Sequence, residues 1–253
     1  MSSYLDTAAG RRIAYHLTSG QGPGVVFLGG FKSDMTGTKA LHLQDWASRR
    51  GRAFLRFDYS GHGDSSGLFE EGSIGDWFDD ARAAIEALTE GPQVLVGSSM
   101  GGWISLLVAR SMPQRVAGLV TVAAAPDFTE RGFWAGFSEA QRQVVMRDGR
   151  IEIPSDYDPR PYVITRRLIE DGRRHQVMDQ PLPLPFPVRM LQGTADADVP
   201  MQWALDLLDH AQGHDMRLTL VKGANHSFST PECLDLLTQA IETLALTDQN
   251  VRL

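Results

Sequence analysis

Leu95-Val96-Gly97-Ser98-Ser99-Met100-Gly101-Gly102-Trp103 sets two adjacent serines among glycines, after the apolar run Gln93–Val96 and before the apolar stretch Trp103–Arg110. A strand that turns sharply into a helix lifts one side chain above the edge of a sheet. Glycine two residues to either side leaves room for the neighbouring backbone. The spacing Gly97-x-Ser99-x-Gly101 meets this requirement. Ser98 would need glycines at the positions held by Val96 and Met100. Ser99 is therefore the expected nucleophile, and the Met100 amide, at the helix start, is an expected oxyanion donor. The competing reading is a plain glycine-rich turn, and the rest of the chain has to decide between them.

Outward from this turn, strand-length apolar runs alternate with amphipathic segments. Strands are expected at Arg12–Leu17, Val25–Leu28, Ala53–Phe57, Val94–Val96 and Val116–Val122, and helices at Thr38–Arg50, Ile74–Leu88 and Met100–Ser111. Ile74, Trp77, Phe78, Ala81, Ile85 and Leu88 share one helix face. After Pro126 the rhythm breaks: Phe128–Met178 is polar and helical in tendency with no obvious strand, and Asp179–Pro187 (DQPLPLPFP) must be extended. Alternation resumes with strands at Val188–Leu191 and Leu218–Val221 and helices near Met201–His210 and Pro231–Leu246. Such alternation predicts an α/β fold with a mostly parallel central sheet and helices on both faces. Residues 1–125 and 187–253 make the expected core domain. Residues 126–186, too long for an unstructured loop, make an expected helical cap.

A serine nucleophile needs a base, and the base needs an orienting acid. His226, in Lys222-Gly223-Ala224-Asn225-His226-Ser227-Phe228, follows the last strand, where an open α/β sheet places its ligands. The acid lies in Gly193-Thr194-Ala195-Asp196-Ala197-Asp198-Val199-Pro200, after the preceding strand. Asp198, just before Val199-Pro200, suits helix capping, which leaves Asp196 to the triad. The order Ser99, Asp196, His226 is the one this fold uses. Gly29-Gly30-Phe31, after the strand Val25–Leu28, supplies the Phe31 amide as a second expected oxyanion donor.

Composition narrows the function. A formal net charge of -7 gives no general attraction to phosphate backbones or anionic lipid, so neither nucleic-acid binding nor membrane insertion is expected. The single cysteine, Cys233, cannot make an internal disulfide, and the N-terminal MSSYLDTAAGRRIAYH reads as neither a secretory signal nor a transit peptide. A cytoplasmic location is expected. Gly61-His62-Gly63-Asp64-Ser65-Ser66-Gly67 imitates a dinucleotide fingerprint, but its third glycine falls one residue late and no helix follows. No His-Glu-x-x-His occurs, so no metal is implied.

GSSMGG (97–102), GTADADVP (193–200), GANHSF (223–228) and FDYSGHGDSSG (57–67) together resemble the α/β-hydrolase superfamily, over essentially the whole chain. Residues 35–67 and 91–103 are most similar to its branch of mitochondrial acyl-glucuronide esterases and palmitoyl-protein thioesterases. The resemblance implies a serine hydrolase without cofactor, acting on small-molecule or acylated esters and thioesters. Ser99, Asp196 and His226 would be its triad, with Phe31 and Met100 as oxyanion donors. The alternatives are a slow or non-catalytic small-molecule receptor on the same fold, and an amide, peptide or carbon–carbon bond hydrolase. Phe133, Trp134 and Phe137 of the cap are the candidate acyl-pocket residues. Arg166, Arg167, Arg173, Arg174 and His175 are candidates to meet an anionic leaving group. Against that role, nine arginines face ten acidic residues between Asp127 and Asp179, as expected of a solvated helix face.

Overall fold

The computed structural model describes residues 2–154 and 161–245, so Asp156, Asp158 and Arg160 of that charge balance, and Leu246 of the last helix, lie outside the described residues. The main sheet begins with β1 (Ser3–Asp6), β2 (Arg12–Thr18), β3 (Gln21–Leu28), β4 (Arg52–Phe57), β5 (Gln93–Ser98) and β6 (Val116–Val122). After two short strands, β7 (Arg150–Ile153) and β8 (Tyr162–Thr165), and a bridge between β9 (Leu182–Pro183) and β11 (Ala211–Gln212), it is completed by β10 (Val188–Gly193) and β12 (Met216–Val221). The order across the sheet is β1-β2-β4-β3-β5-β6-β10-β12. The strands from β4 to β12 run parallel, and β1 and β2 form an antiparallel edge.

Buried β-branched and aliphatic runs explain the centre of this sheet. In β5 every residue is buried, because both faces are covered. On one face, Ala40, Leu43 and Trp46 of α1 (Thr38–Arg49) pack with Leu237 and Ile241 of α7 (Pro231–Ala245) over Val25, Val94 and Val120. On the other, Trp77 and Ile85 of α2 (Ile74–Leu88) meet Trp103 and Ile104 of α3 (Met100–Ser111) over Val26, Leu95 and Leu119. Ser73 caps α2 by accepting the Asp76 amide.

Between β6 and β10 the chain forms a π-helical turn (Thr129–Trp134), α4 (Glu139–Asp148), the antiparallel pair β7–β8, and α5 (Arg166–Arg174). The helical expectation therefore holds for α4 and α5 and fails at β7 and β8. Only four residues long, with alternating exposed and half-buried side chains, Arg-Ile-Glu-Ile carries too short and too charged a pattern to register as a strand. Asp127 fastens the start of this segment to its end: its buried carboxylate accepts the amides of Val177 at 2.9 Å and Met178 at 3.0 Å. α6 (Met201–His210) lies between β11 and the preceding β10 loop. No helix among the described residues is long and apolar enough to cross a membrane.

Candidate active site

At the carboxyl end of β5, Ser99 holds φ 55° and ψ -118°, a conformation that costs a non-glycine residue free energy and persists only when its surroundings impose it. Here they do. The Ser99 amide donates to the Val122 carbonyl at 2.9 Å, and its own carbonyl accepts Gly102 N–H at 2.9 Å and Ala125 N–H at 3.1 Å. The flanking glycines are sterically required. A Cβ on Gly101 would overlap the Leu28 carbonyl oxygen and reach within 2.5 Å of the Gly29 oxygen, and one on Gly97 would come within 2.6 Å of Ser105 Oγ. Gly101 thus lets α3 press against the end of β3, bringing the serine turn onto the Gly29-Gly30-Phe31 loop.

Two other strand ends complete a relay. With His226 neutral and its proton on Nδ1, Ser99 Oγ–H donates to His226 Nε2 at 3.1 Å, and Nδ1–H donates to Asp196 Oδ2 at 2.9 Å. The Asp196 side chain is fully buried while His226 keeps a fifth of its surface open. Asp196 Oδ1 accepts the amides of Asp198 at 3.0 Å and Val199 at 2.9 Å, and Gln192 Nε2 donates to Oδ2 at 3.1 Å. Burial alone would raise this carboxyl, but the hydrogen bonds from His226, Val199 and Asp198 outweigh it and hold the pKa below the ordinary value. Asp196 therefore stays ionised beside the imidazole. The residue before α6 is Pro200, whose side chain makes no capping hydrogen bond. A proline at that point sets the backbone without a side-chain acceptor. The Asp198 amide helps to hold Asp196.

The first strand loop supplies the rest. Ser33 closes a turn on Gly30, its amide at 3.2 Å and its hydroxyl at 2.8 Å from the Gly30 carbonyl. A Cβ on Gly30 would lie 3.4 Å from Ser99 Cβ, so this loop sits directly against the serine. Phe31 and Met100 both border the cavity above Ser99. Ligand atoms of Asp196, Asp198 and His226 also fall within 4.8 Å of one another. Both oxygens of Asp196 are already engaged by donors, so the relay accounts for this grouping without a cation.

Known proteins resemble this chain over nearly its whole length. The family model described as Serine aminopeptidase, S33, matches residues 24–156. The chain belongs to this α/β-hydrolase family. It is similar to the cattle (Bos taurus) protein named Palmitoyl-protein thioesterase ABHD10, mitochondrial, with 35% identity over 96% of this chain and 79% of that one. Among solved structures it resembles a putative hydrolase from Agrobacterium vitis S4, with a TM-score of 0.92 and 38% identity over 97% of this chain and 98% of the other. Alpha/beta hydrolase domain-containing protein 10 from mouse superposes with a TM-score of 0.90 and 31% identity over 98% and 99% of the two chains.

Above Ser99 this hydrolase opens a cavity of about 1170 Å³. Its apolar wall is built around the Phe31 ring, whose centroid lies 4.8 Å from Phe69, 5.5 Å from Phe128, 5.9 Å from Phe133 and 5.8 Å from Tyr162, all edge to face. Of the three expected pocket residues, only Phe133 borders the cavity. Phe137 is buried behind it, stacked on its ring at 6.5 Å. Trp134 turns away to the cap surface, where the guanidinium groups of Arg173 and Arg142 cover its ring at 4.5 and 5.5 Å. The π-helical turn sends adjacent side chains in different directions, and only one of these aromatics can face Ser99. Phe69, Phe128 and Tyr162 escaped the sequence reading because they come from three separated segments with no shared period. The cap arginines do not border the cavity. Arg166 pairs with Glu170 at 2.6 Å, Arg167 with Asp76 at 2.6 Å, Arg173 with Glu130 at 2.7 Å and Arg174 with Asp171 at 2.7 Å. His175 donates from Nδ1 to the Asp171 carbonyl at 2.8 Å.

Proposed function

We propose that this protein is a serine hydrolase that cleaves carboxylic esters or thioesters through an acyl-enzyme intermediate. The observation that carries the proposal is the unbroken run of hydrogen bonds from Ser99 through His226 to Asp196. Asp196 holds the imidazole in the tautomer whose free Nε2 faces Ser99. As Ser99 Oγ attacks the acyl carbonyl, Nε2 takes its proton, and the negative charge on the carbonyl oxygen is held by the Phe31 and Met100 amides. His226 then gives the proton to the departing alcohol or thiol. Water, deprotonated by the same nitrogen, attacks the acyl-serine, releasing the acid and restoring Ser99.

Residues 126–186 act as the cap over a core of residues 1–125 and 187–253. Phe133 joins Phe31, Phe69, Phe128 and Tyr162 to receive a bulky apolar acyl group of a small-molecule or acylated-protein substrate. The relatives' thioesterase names support the thioester arm of this reading. A cytoplasmic address belongs to the same proposal; the relatives' names specify mitochondria, and fractionation of cells expressing the full chain decides between the two.

The deciding experiment pairs a fluorophosphonate probe with a substrate panel of oxygen esters, thioesters, acyl glucuronides and aminoacyl amides graded by acyl length. Probe labelling should vanish in Ser99→Ala and persist in Ser98→Ala, and turnover should fall about 10⁶-fold in Ser99→Ala alone. Labelling of Ser98 in place of Ser99 would overturn the assignment. Preference for aminoacyl amides would move the enzyme to the peptidase class.

A further inference from the structure

Gln192 is wholly buried in β10, between β6 and β12. Strand alternation sets its side chain on the face of Val188 and Met190, both members of the apolar core. A buried amide at such a place needs partners for its oxygen and for its nitrogen. Among the described residues only the nitrogen finds them. Nε2 shares its two protons among three acceptors, the Gly193 carbonyl at 3.2 Å, the Val199 carbonyl at 3.1 Å and Asp196 Oδ2 at 3.1 Å. Oε1 is buried and meets no donor. Turning the amide over would set Oε1 against two carbonyls and a carboxylate, so the observed orientation stands. Gln192 thus carries an unpaired acceptor that a hydrocarbon of the same length would not, and the reason for a glutamine here lies on its nitrogen side.

On that side lies the acid loop. Gly193 opens it, Val199 closes it, and Asp196 stands between them. The two oxygens of Asp196 are held differently. Oδ1 accepts the backbone amides of Asp198 and Val199. Oδ2 accepts His226 Nδ1–H at 2.9 Å, and its one other donor among the described residues is Gln192. With Oδ1 alone fastened, the carboxylate could still turn about its bond to Cβ and carry Oδ2 away from the imidazole. The Gln192 N–H closes off that rotation, occupying one lone pair of Oδ2 while the other meets Nδ1. Gln192 does not border the cavity, so it acts on the reaction through Asp196. We infer that Gln192 is a positioning residue of the relay: its amide donor keeps Asp196 Oδ2 aimed at His226, and hydrolysis at Ser99 depends on it.

This rests on the serine-hydrolase reading above, and the test separates the two. Hydrolysis of one activated phenyl ester is followed across pH in the wild-type, Gln192→Met and Gln192→Glu proteins, with urea unfolding to establish that each is folded under the assay conditions. Methionine keeps the length of the side chain and removes the donor. Its kcat should fall about tenfold, the scale of one hydrogen bond to a charged group, with KM unchanged to within about twofold. Acylation and deacylation both use the relay, so the loss reaches kcat whichever is slower. Glutamic acid keeps the shape and, while protonated, an O–H donor for Asp196. Burial beside a carboxylate raises its pKa. The kcat of Gln192→Glu relative to wild type should therefore be highest at the acid end and fall as pH rises and the donor is lost, while the ratio for Gln192→Met stays level. A folded Gln192→Met protein with wild-type kcat means that Gln192 only ties Gly193 to Val199, and overturns the inference while leaving the hydrolase reading intact. A Gln192→Glu ratio that is level with pH does the same, and decides alone where Gln192→Met fails to fold. Failure of the wild type to turn over the ester, with no probe labelling at Ser99, overturns the hydrolase reading itself and the inference with it.

Discussion

Replacing His62 with phenylalanine is expected to flatten the acid limb of the protein's stability curve. The His62 ring is 4% exposed and packed edge to face against Phe69 at 5.0 Å, Trp77 at 5.1 Å and Tyr59 at 5.6 Å. Nδ1–H donates to the Ser60 carbonyl at 3.2 Å, and Nε2 has no partner among the described residues. Burial lowers the pKa from 6.5 to about 4, against a smaller opposing effect of the Ser60 carbonyl. The unfolded chain therefore takes up this proton near pH 6.5 and the folded protein only near 4. Between those values the unfolded state binds more protons, so stability is full above pH 6.5 and drains away as pH falls. The whole loss amounts to about 3 kcal/mol, of which about 2 kcal/mol is incurred between pH 7 and pH 5. Phenylalanine keeps the ring contacts and cannot be charged, and the Ser60 carbonyl keeps its bond from Trp77 Nε1 at 3.0 Å. Urea unfolding of both proteins at the two pH values, with equal denaturant slopes, measures the difference. Asp58 and Asp80, whose carboxyls burial raises, act in both proteins alike and drop out of the comparison. Equal losses of stability in the wild type and His62→Phe would refute the reasoning.

Asp196→Asn should leave the fold intact but turn the imidazole over to the wrong tautomer, lowering kcat by about 10⁴, the loss known for the corresponding change in a triad protease; steady-state kinetics with a matched circular dichroism spectrum check this, and a loss below tenfold would place the orienting role elsewhere. Gly101→Ala should cost about 2 kcal/mol or more and most of the activity, because its Cβ meets the Leu28 and Gly29 carbonyls and pushes the serine turn off the oxyanion loop. Gly136→Ala, where an added Cβ meets nothing within 4 Å, is the matched control in the same thermal and kinetic assays.

The relay was legible in the sequence because each member sits at a point where local chemistry and topology coincide. Ser99, Asp196 and His226 each follow a strand end, and the glycines around Ser99 answer a steric demand that is visible as spacing. The acyl wall was not legible in that way. Phe31 was singled out for its amide, yet its ring is the hub of the wall, and a backbone role says nothing about where a side chain points. Trp134 and Phe137 are as aromatic as Phe133, and only the winding of the chain after Asp127 separates the one that faces Ser99 from the one under an arginine and the one in the core. The balance of the cap arginines against acids was legible as a count, but not their pairing: Arg166 and Arg174 find acids within four residues, whereas Arg167 finds Asp76 91 residues away.

This division has a physical origin that bears on how such an enzyme changes its substrate. β3, β5, β10 and β12 run parallel and end at one edge, so four loops distant in sequence converge without any connection having to cross the sheet. Ser99 and His226 are 127 residues apart and still meet at 3.1 Å because each follows the carboxyl end of a parallel strand, β5 in the buried centre and β12 at the edge of the sheet. The reacting groups therefore stand at the ends of strands hydrogen-bonded into one sheet. The wall that receives the acyl group is assembled otherwise: Phe69 comes from the loop before α2, Phe128 and Phe133 from the segment after β6, and Tyr162 from β8. Substitutions there alter the shape of the cavity without touching any hydrogen bond of the relay.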